Sequence, residues 1–234
     1  MATAGLPDGL QAWFDHHIPP SERPLVTLSY AQSLDGCLAA EPGRPLLLSS
    51  EETKALTHQV RAWHDGILVG IGTVLADDPQ LTVRRVSGPS PQPIIADTRL
   101  RTPPQARLLS GPRPPWIAAS ECANPEGAAR LREGGAEILI VPQSQEGLLD
   151  LSALLHLLRG RGVQRLMVEG GARILTSFLR ANLADALILT VAPRFVGGLP
   201  AVGALHGHHP SLVDLHAARL GPDLVVWGDL AGAA

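Results

Sequence analysis

Short apolar runs alternate along the chain with segments whose apolar positions recur at helical spacing. The runs are Leu25–Tyr30, Ile67–Val69, Ile94–Asp97, Trp116–Ala119, Ile138–Val141, Leu166–Val168, Leu187–Val191 and Leu224–Trp227. They have strand length, and turn-forming residues punctuate the chain between them, so they predict strands. Leu56, Val60 and Trp63 share one helical face, as do Leu151, Leu154, Leu155 and Leu158, and again Leu175, Phe178 and Leu179. Residues 125–133 predict a further short helix ending at Gly134-Gly135. Ser49 stands three residues before Glu52, the spacing of a capping box, and predicts the start of the helix that carries Leu56. Gly160 stops the Leu-rich helix, Asn182 ends the one that follows Glu169-Gly170-Gly171, and Gly70 and Gly72 predict a turn after Ile67–Val69. Residues 1–22 read as an N-terminal extension with one or two helical turns around Trp13 and Phe14, ahead of a single domain over 23–234. Continuous apolar strands alternating with amphipathic helices predict an α/β fold: a mostly parallel sheet with helices on both faces. Ligands in such sheets bind at the carboxyl ends of the strands.

Composition narrows the chemistry. With 45% hydrophobic residues, 234 residues carry enough apolar surface for a packed core. The net charge of -3 and the lack of a basic run argue against a nucleic-acid or anionic-membrane surface. Lys54 is the only lysine, so covalent lysine chemistry has a single candidate with nothing around it to recommend it. Two cysteines, Cys37 and Cys122, support neither a disulfide framework nor a thiolate metal cluster. No apolar stretch is long enough to span a bilayer, and the N-terminus lacks a signal-peptide pattern. The expectation is a cytoplasmic protein with reduced thiols.

Val168-Glu169-Gly170-Gly171-Ala172-Arg173 carries the clearest chemical signal. A buried strand delivers an acid and two glycines to a helix start, where bare backbone N–H groups and the helix dipole favour an anion. An ordinary strand–helix turn is the plainer alternative. Gly70-Ile71-Gly72-Thr73 resembles the opening of a dinucleotide fingerprint, but Leu75 replaces the third glycine, so a Rossmann reading is rejected. Asp77 and Asp78, followed by Arg84 and Arg85, could serve acid–base work, hold a divalent cation or form a solvated turn. Arg61 could join Arg84 on a phosphate. His206-Gly207-His208-His209 lacks a standard ligand set and reads as a mobile loop; no metal is expected.

These blocks, in order, resemble the reductase of riboflavin biosynthesis, a member of the dihydrofolate-reductase-like superfamily. The resemblance is carried by Val26–Gly36, by Arg61–Arg84, by Ala96–Pro103, by Val168–Arg173 and by Ala192–Gly198, and spans roughly residues 24–229. It implies NADPH-dependent reduction of a ribosylaminopyrimidine 5′-phosphate to the ribitylamino product, with hydride delivered to the sugar C1. It implies catalytic roles for Asp77 and Glu169, and substrate contacts from Ser49, Arg61, Leu81, Arg84 and Glu169. Cofactor contacts are implied for Ala31, Thr73, Asp77 and the run Gly170, Gly171, Ala172 and Arg173. Thr98, Arg99 and Ser120 follow strand ends and are candidates for the adenine-ribose phosphate, whereas an acid such as Asp97 pointing there would favour NADH. A homodimer is implied by the resemblance alone.

Two positions depart from the fused bacterial forms, which carry Lys where this chain has Ser29 and Trp where it has Leu47. The run Ser29–Asp35 and the run His64–Gly72 look closer to free-standing fungal and archaeal enzymes, which reduce the diamino substrate before deamination. Ser49 serves equally as a helix cap. Two rivals remain: an NADPH reductase of the same superfamily acting on another pterin- or pyrimidine-like substrate, and a nucleotide-binding protein without turnover.

Overall fold

The computed structural model describes residues 5–231. In chain order the elements are α1 (Leu10–His16), β1 (Leu25–Ser33), β2 (Cys37–Ala39), α2 (Glu51–Ala62), β3 (Gly66–Gly70), α3 (Ile71–Asp77), β4 (Gln92–Ala96), β5 (Trp116–Ala119), α4 (Pro125–Glu133), β6 (Glu137–Ile140), α5 (Leu151–Gly160), β7 (Arg165–Val168), α6 (Ala172–Arg180), β8 (Ala186–Ala192), β9 (Leu199–Pro200), β10 (Ser211–Leu220) and β11 (Asp223–Ala231). A single 3-10 turn covers Arg107–Ser110.

Nine strands form one sheet in the order β10-β11-β8-β1-β7-β3-β4-β5-β6. Pairings from β8 through β6 are all parallel; only β8–β11 and β11–β10 are antiparallel. The mostly parallel α/β sheet expected from the apolar runs, with helices on both faces, is therefore present. A separate small sheet pairs β2 with β9.

The pleat divides the core in two. Ile67, Val69, Met167 and Ile188 face α1, α2, α3 and α4. Val26, Leu28, Leu68, Leu166 and Val168 face α5 and α6. The N-terminal helix belongs to the first layer, with Leu10, Trp13 and Phe14 buried against it. Among the described residues no helix is long and apolar enough to cross a membrane.

Local details correct four expectations. Ser50, not Ser49, caps α2: its Oγ accepts the Thr53 N–H at 3.3 Å. The choice is tertiary, because Asp223 Oδ2 on β11 accepts both the Ser50 N–H at 2.9 Å and the Thr53 hydroxyl at 2.6 Å. The Gly70/Gly72 turn is instead a direct strand-to-helix passage, with Gly70 in extended conformation capping α3 and Gly72 inside it. The strand expected at Ile138–Val141 lies one residue earlier. Three strands, β2, β9 and β10, have no apolar run to announce them; β10 is exposed along most of its length.

Candidate active site

The carboxyl ends of β1, β3, β4, β7 and β8 open into a cleft of about 1790 Å³. Strand alternation decides which side chains face which half. On β7, Met167 faces the α2 layer and Val168 the α6 layer. Glu169 continues the ladder, its N–H donating to Leu68 O at 2.9 Å, so its side chain returns to the α2 side. There Arg61 meets it as a fork: Nε donates to Oε2 at 2.9 Å and Nη2 to Oε1 at 2.8 Å. Arg61 Nη1 also donates to Thr82 O at 3.0 Å. The pair is well shielded, with side chains 11% and 22% exposed, which strengthens a charge-assisted bidentate contact.

Asp77, the last residue of α3, opens on the same cleft. The protein walls around it, and then the neighbouring Glu169 charge, raise its carboxyl above the usual Asp range. Asp78 does not join it. It ends the helix in the left-handed region at φ 40°, and its Oδ1 accepts the Arg107 N–H at 2.9 Å. Asp77 lines the cleft and Asp78 does not. Leu81, left-handed at φ 54° and 2% exposed, turns the chain so that Thr82–Arg85 passes back over α2.

That arm carries a cationic cluster. Arg84 is not part of the cleft wall; its Nη1 donates to Thr82 Oγ1 at 3.1 Å, and among the described residues it makes no ion pair. Partial burial, then Arg61, Arg107 and Arg85, lowers its pKa. Arg85 is engaged by Glu51. Arg107 was not foreseen from the sequence: nothing local marks it, and it reaches this region because Asp78 holds its backbone.

The other half of the cleft is a backbone lip. Gly171, the N-cap of α6, has no side chain to cap the helix, so the first helical N–H groups remain open at Ala172 and Arg173. A Cβ on Gly170 would stand 2.5 Å from Ile174 Cγ2, so this position accepts only glycine without a shift. The Gly171 N–H donates to Thr73 Oγ1 at 3.1 Å, tying α3 to the lip. Ala31, Ser49, Thr98 and Arg99 also line the cleft. Ser120 does not: it is 2% exposed and its Oγ donates to Thr98 O at 3.1 Å. Asp97 is fully buried, with Oδ2 accepting the Thr102 N–H at 2.7 Å and the Thr102 hydroxyl at 2.8 Å. Ser29 and Leu47 line the cleft as well. The His206–His209 segment places His206 and His208 at its wall.

Residues 24–226 match the model of the RibD C-terminal domain. The chain belongs to that family. It is 39% identical over 214 residues to the 2,5-diamino-6-ribosylamino-4(3H)-pyrimidinone 5′-phosphate reductase of Methanothermobacter thermautotrophicus, covering 87% of this chain and 97% of that protein. It is 37% identical over 185 residues to the riboflavin biosynthesis protein RibD of Aquifex aeolicus, covering 79% of this chain but 50% of the relative. The solved riboflavin biosynthesis reductase Rib7 of Saccharomyces cerevisiae superposes with a TM-score of 0.78 at 30% identity, covering 96% of this chain and all of that one.

Proposed function

We propose that this protein reduces a ribosylaminopyrimidine 5′-phosphate with NADPH, and that its substrate is the diamino form named for its archaeal relative. One observation carries the reading. Asp77 and the Arg61–Glu169 pair share the cleft with a bare helix N-terminus, and Arg84, without an ion pair among the described residues, stands close enough to feel the Arg61 and Glu169 charges. The helix N-terminus is suited to a pyrophosphate and Arg84 to a phosphate monoester. The cleft volume of about 1790 Å³ exceeds that of a site for one small ligand, which accords with a dinucleotide and a ribotide bound together.

The residues present fit a nicotinamide cofactor. Gly170, with no room for a side chain, leaves the lip as backbone alone, and Thr73 holds it in place. Gly170 through Arg173 would take the pyrophosphate half, while Ala31 and Thr73 would lie along the nicotinamide half. Thr98, Arg99 and Arg173 are the groups available to an adenine-ribose phosphate. Asp97, the acid that would favour NADH, lines the cleft fully buried, with Oδ2 held by Thr102 and Oδ1 without a partner among the described residues. When bound, the cofactor supplies the hydride.

The protein's part is alignment and one proton. In the substrate, ring opening moves the glycosylamine proton to the ring oxygen and leaves a C1=N imine. Hydride addition at C1 then requires a proton at that nitrogen. Asp77, whose raised pKa keeps it protonated to higher pH than an ordinary Asp, is the donor. Glu169, fixed by Arg61, accepts hydrogen bonds from the pyrimidine or the sugar hydroxyls. Leu81 and Ser49 pack along the substrate, and Arg84 takes its phosphate. The exposed edge strand β10, with Val213 and Leu215 uncovered, supports a homodimer. The free thiols Cys37 and Cys122 support a cytoplasmic setting. Substrate-dependent NADPH oxidation tests the proposal; its absence while NADPH still binds would favour a nucleotide-binding protein without turnover.

A further inference from the structure

The Thr82–Arg85 arm carries the candidate phosphate ligand, yet it belongs to no helix or strand. Its position depends on three anchors. Arg61 Nη1 donates to Thr82 O at 3.0 Å. The Val83 N–H donates to Ser90 Oγ at 3.1 Å. The Arg84 N–H donates to His58 Nδ1 at 3.0 Å. His58 lies on α2 one turn before Arg61, is 5% exposed, and spans 26 residues of sequence to reach the arm.

We propose that His58 is the positioning residue of this arm: by accepting the Arg84 N–H at Nδ1, it sets where the Arg84 guanidinium meets the substrate phosphate. The inference rests on the phosphate reading of Arg84 given above. The contact requires a neutral ring, because a protonated imidazole has no acceptor at Nδ1. The site enforces that state. Burial, and then Arg61, Arg84 and Arg85 around it, pushes the His58 pKa down to about 4. A residue in this place must therefore be an uncharged acceptor at the right depth, which is why a second cation or an apolar side chain would not serve. His58 is not part of the cleft wall, so it acts on the site through the arm it holds at the Arg84 N–H.

The experiment compares His58→Asn, His58→Gln and His58→Ala in steady-state NADPH oxidation. The substrates are the phosphorylated ribosylaminopyrimidine and the same compound without its phosphate. Asn places an amide oxygen near the Nδ1 position; Gln places it one bond too far. The expected result is a KM for the phosphorylated substrate raised roughly tenfold in His58→Gln and His58→Ala, the scale of one lost hydrogen bond. Their kcat and NADPH affinity stay within about twofold of wild type, His58→Asn keeps the wild-type KM, and the dephosphorylated substrate is insensitive to all three. The inference is overturned if His58→Asn is as impaired as His58→Gln, or if the KM rise is the same for both substrates. The Asn and Gln pair decides the matter even if the Ala variant fails to fold. A wild type that does not distinguish the two substrates overturns the phosphate reading of Arg84 itself, and with it this inference.

Discussion

Arg61 on α2 and Glu169 beyond the end of β7, 108 residues apart, hold each other as a bidentate pair, Nη2 to Oε1 at 2.8 Å and Nε to Oε2 at 2.9 Å. The pairing changes the meaning of both. Arg61 spends its fork on Glu169 and on Thr82 O, so its first task is to fix a carboxylate and the root of the arm. Arg84, on the arm that Arg61 anchors, has no acidic partner among the described residues. The two arginines should then fail differently. Arg84→Ala is expected to raise the substrate KM about tenfold or more with little change in kcat or NADPH affinity. Arg61→Ala, which leaves Glu169 half-buried and unpaired, is expected to lower kcat as well and to cost roughly 3 kcal/mol of stability. Steady-state kinetics and urea unfolding of both variants check this; identical kinetic profiles would contradict it.

Asp77 is walled in beside the Glu169 carboxylate, and burial, then that negative charge, raises its pKa above the ordinary Asp range. Asp77→Asn should lower kcat by about 10²-fold or more, the usual scale for a positioned acid. A raised pKa means the acid form persists to higher pH and is lost as pH climbs through it. Wild-type activity should therefore fall on the alkaline side, and Asp77→Asn should lack that limb. Retained turnover with unchanged ligand affinities would remove Asp77 from the chemistry.

Gly170 tests the cofactor half. Its missing side chain leaves no space, since a Cβ would lie 2.5 Å from Ile174 Cγ2 in the first turn of α6. Gly170→Ala should push the lip outward, weaken NADPH roughly tenfold and cost about 1–3 kcal/mol. Adding Ile174→Ala removes the clash and should restore NADPH binding. Fluorescence titration of NADPH separates the cases; a single variant that binds normally would contradict the placement.

His64 links the fold to pH. Its ring donates to Val60 O at 2.7 Å and accepts the Thr27 hydroxyl at 3.0 Å, wholly inside the first core layer. Burial holds its pKa down to about 4, against 6.5 for an ordinary His. The unfolded chain therefore takes up the proton first as pH falls. The stability from the neutral native ring is complete above about pH 6.5 and is lost progressively toward pH 4, on the order of 3 kcal/mol in all. His58 acts in the same direction. Urea unfolding at pH 7 and pH 5 should show this loss, reduced in His64→Gln. An unchanged pH slope in that variant would assign the acid sensitivity elsewhere.

Elements built around apolar runs could be read from the chain, because burial on both faces writes continuous Val, Ile and Leu into parallel strands. β10 could not: it lies at the sheet edge, and His216 and Arg219 occupy positions that face solvent. α3 was hidden by Gly70 and Gly72, whose propensities favour a turn and were overruled by Val74 packing into the core. Ser49 and Ser50 offer equivalent local caps, and only Asp223, far along the chain, selects between them. The glycine lip and Glu169 were visible because a strand, two glycines and a helix are contiguous. The Arg61–Glu169 fork, the approach of Arg107 and the His58–Arg84 contact join distant segments, and no local pattern encodes them.

The central claim is most directly tested by NADPH oxidation with the diamino ribosylaminopyrimidine 5′-phosphate and its deaminated counterpart, side by side. The account predicts substrate-dependent turnover, faster with the diamino compound. NADPH binding without oxidation in the presence of either compound would contradict it.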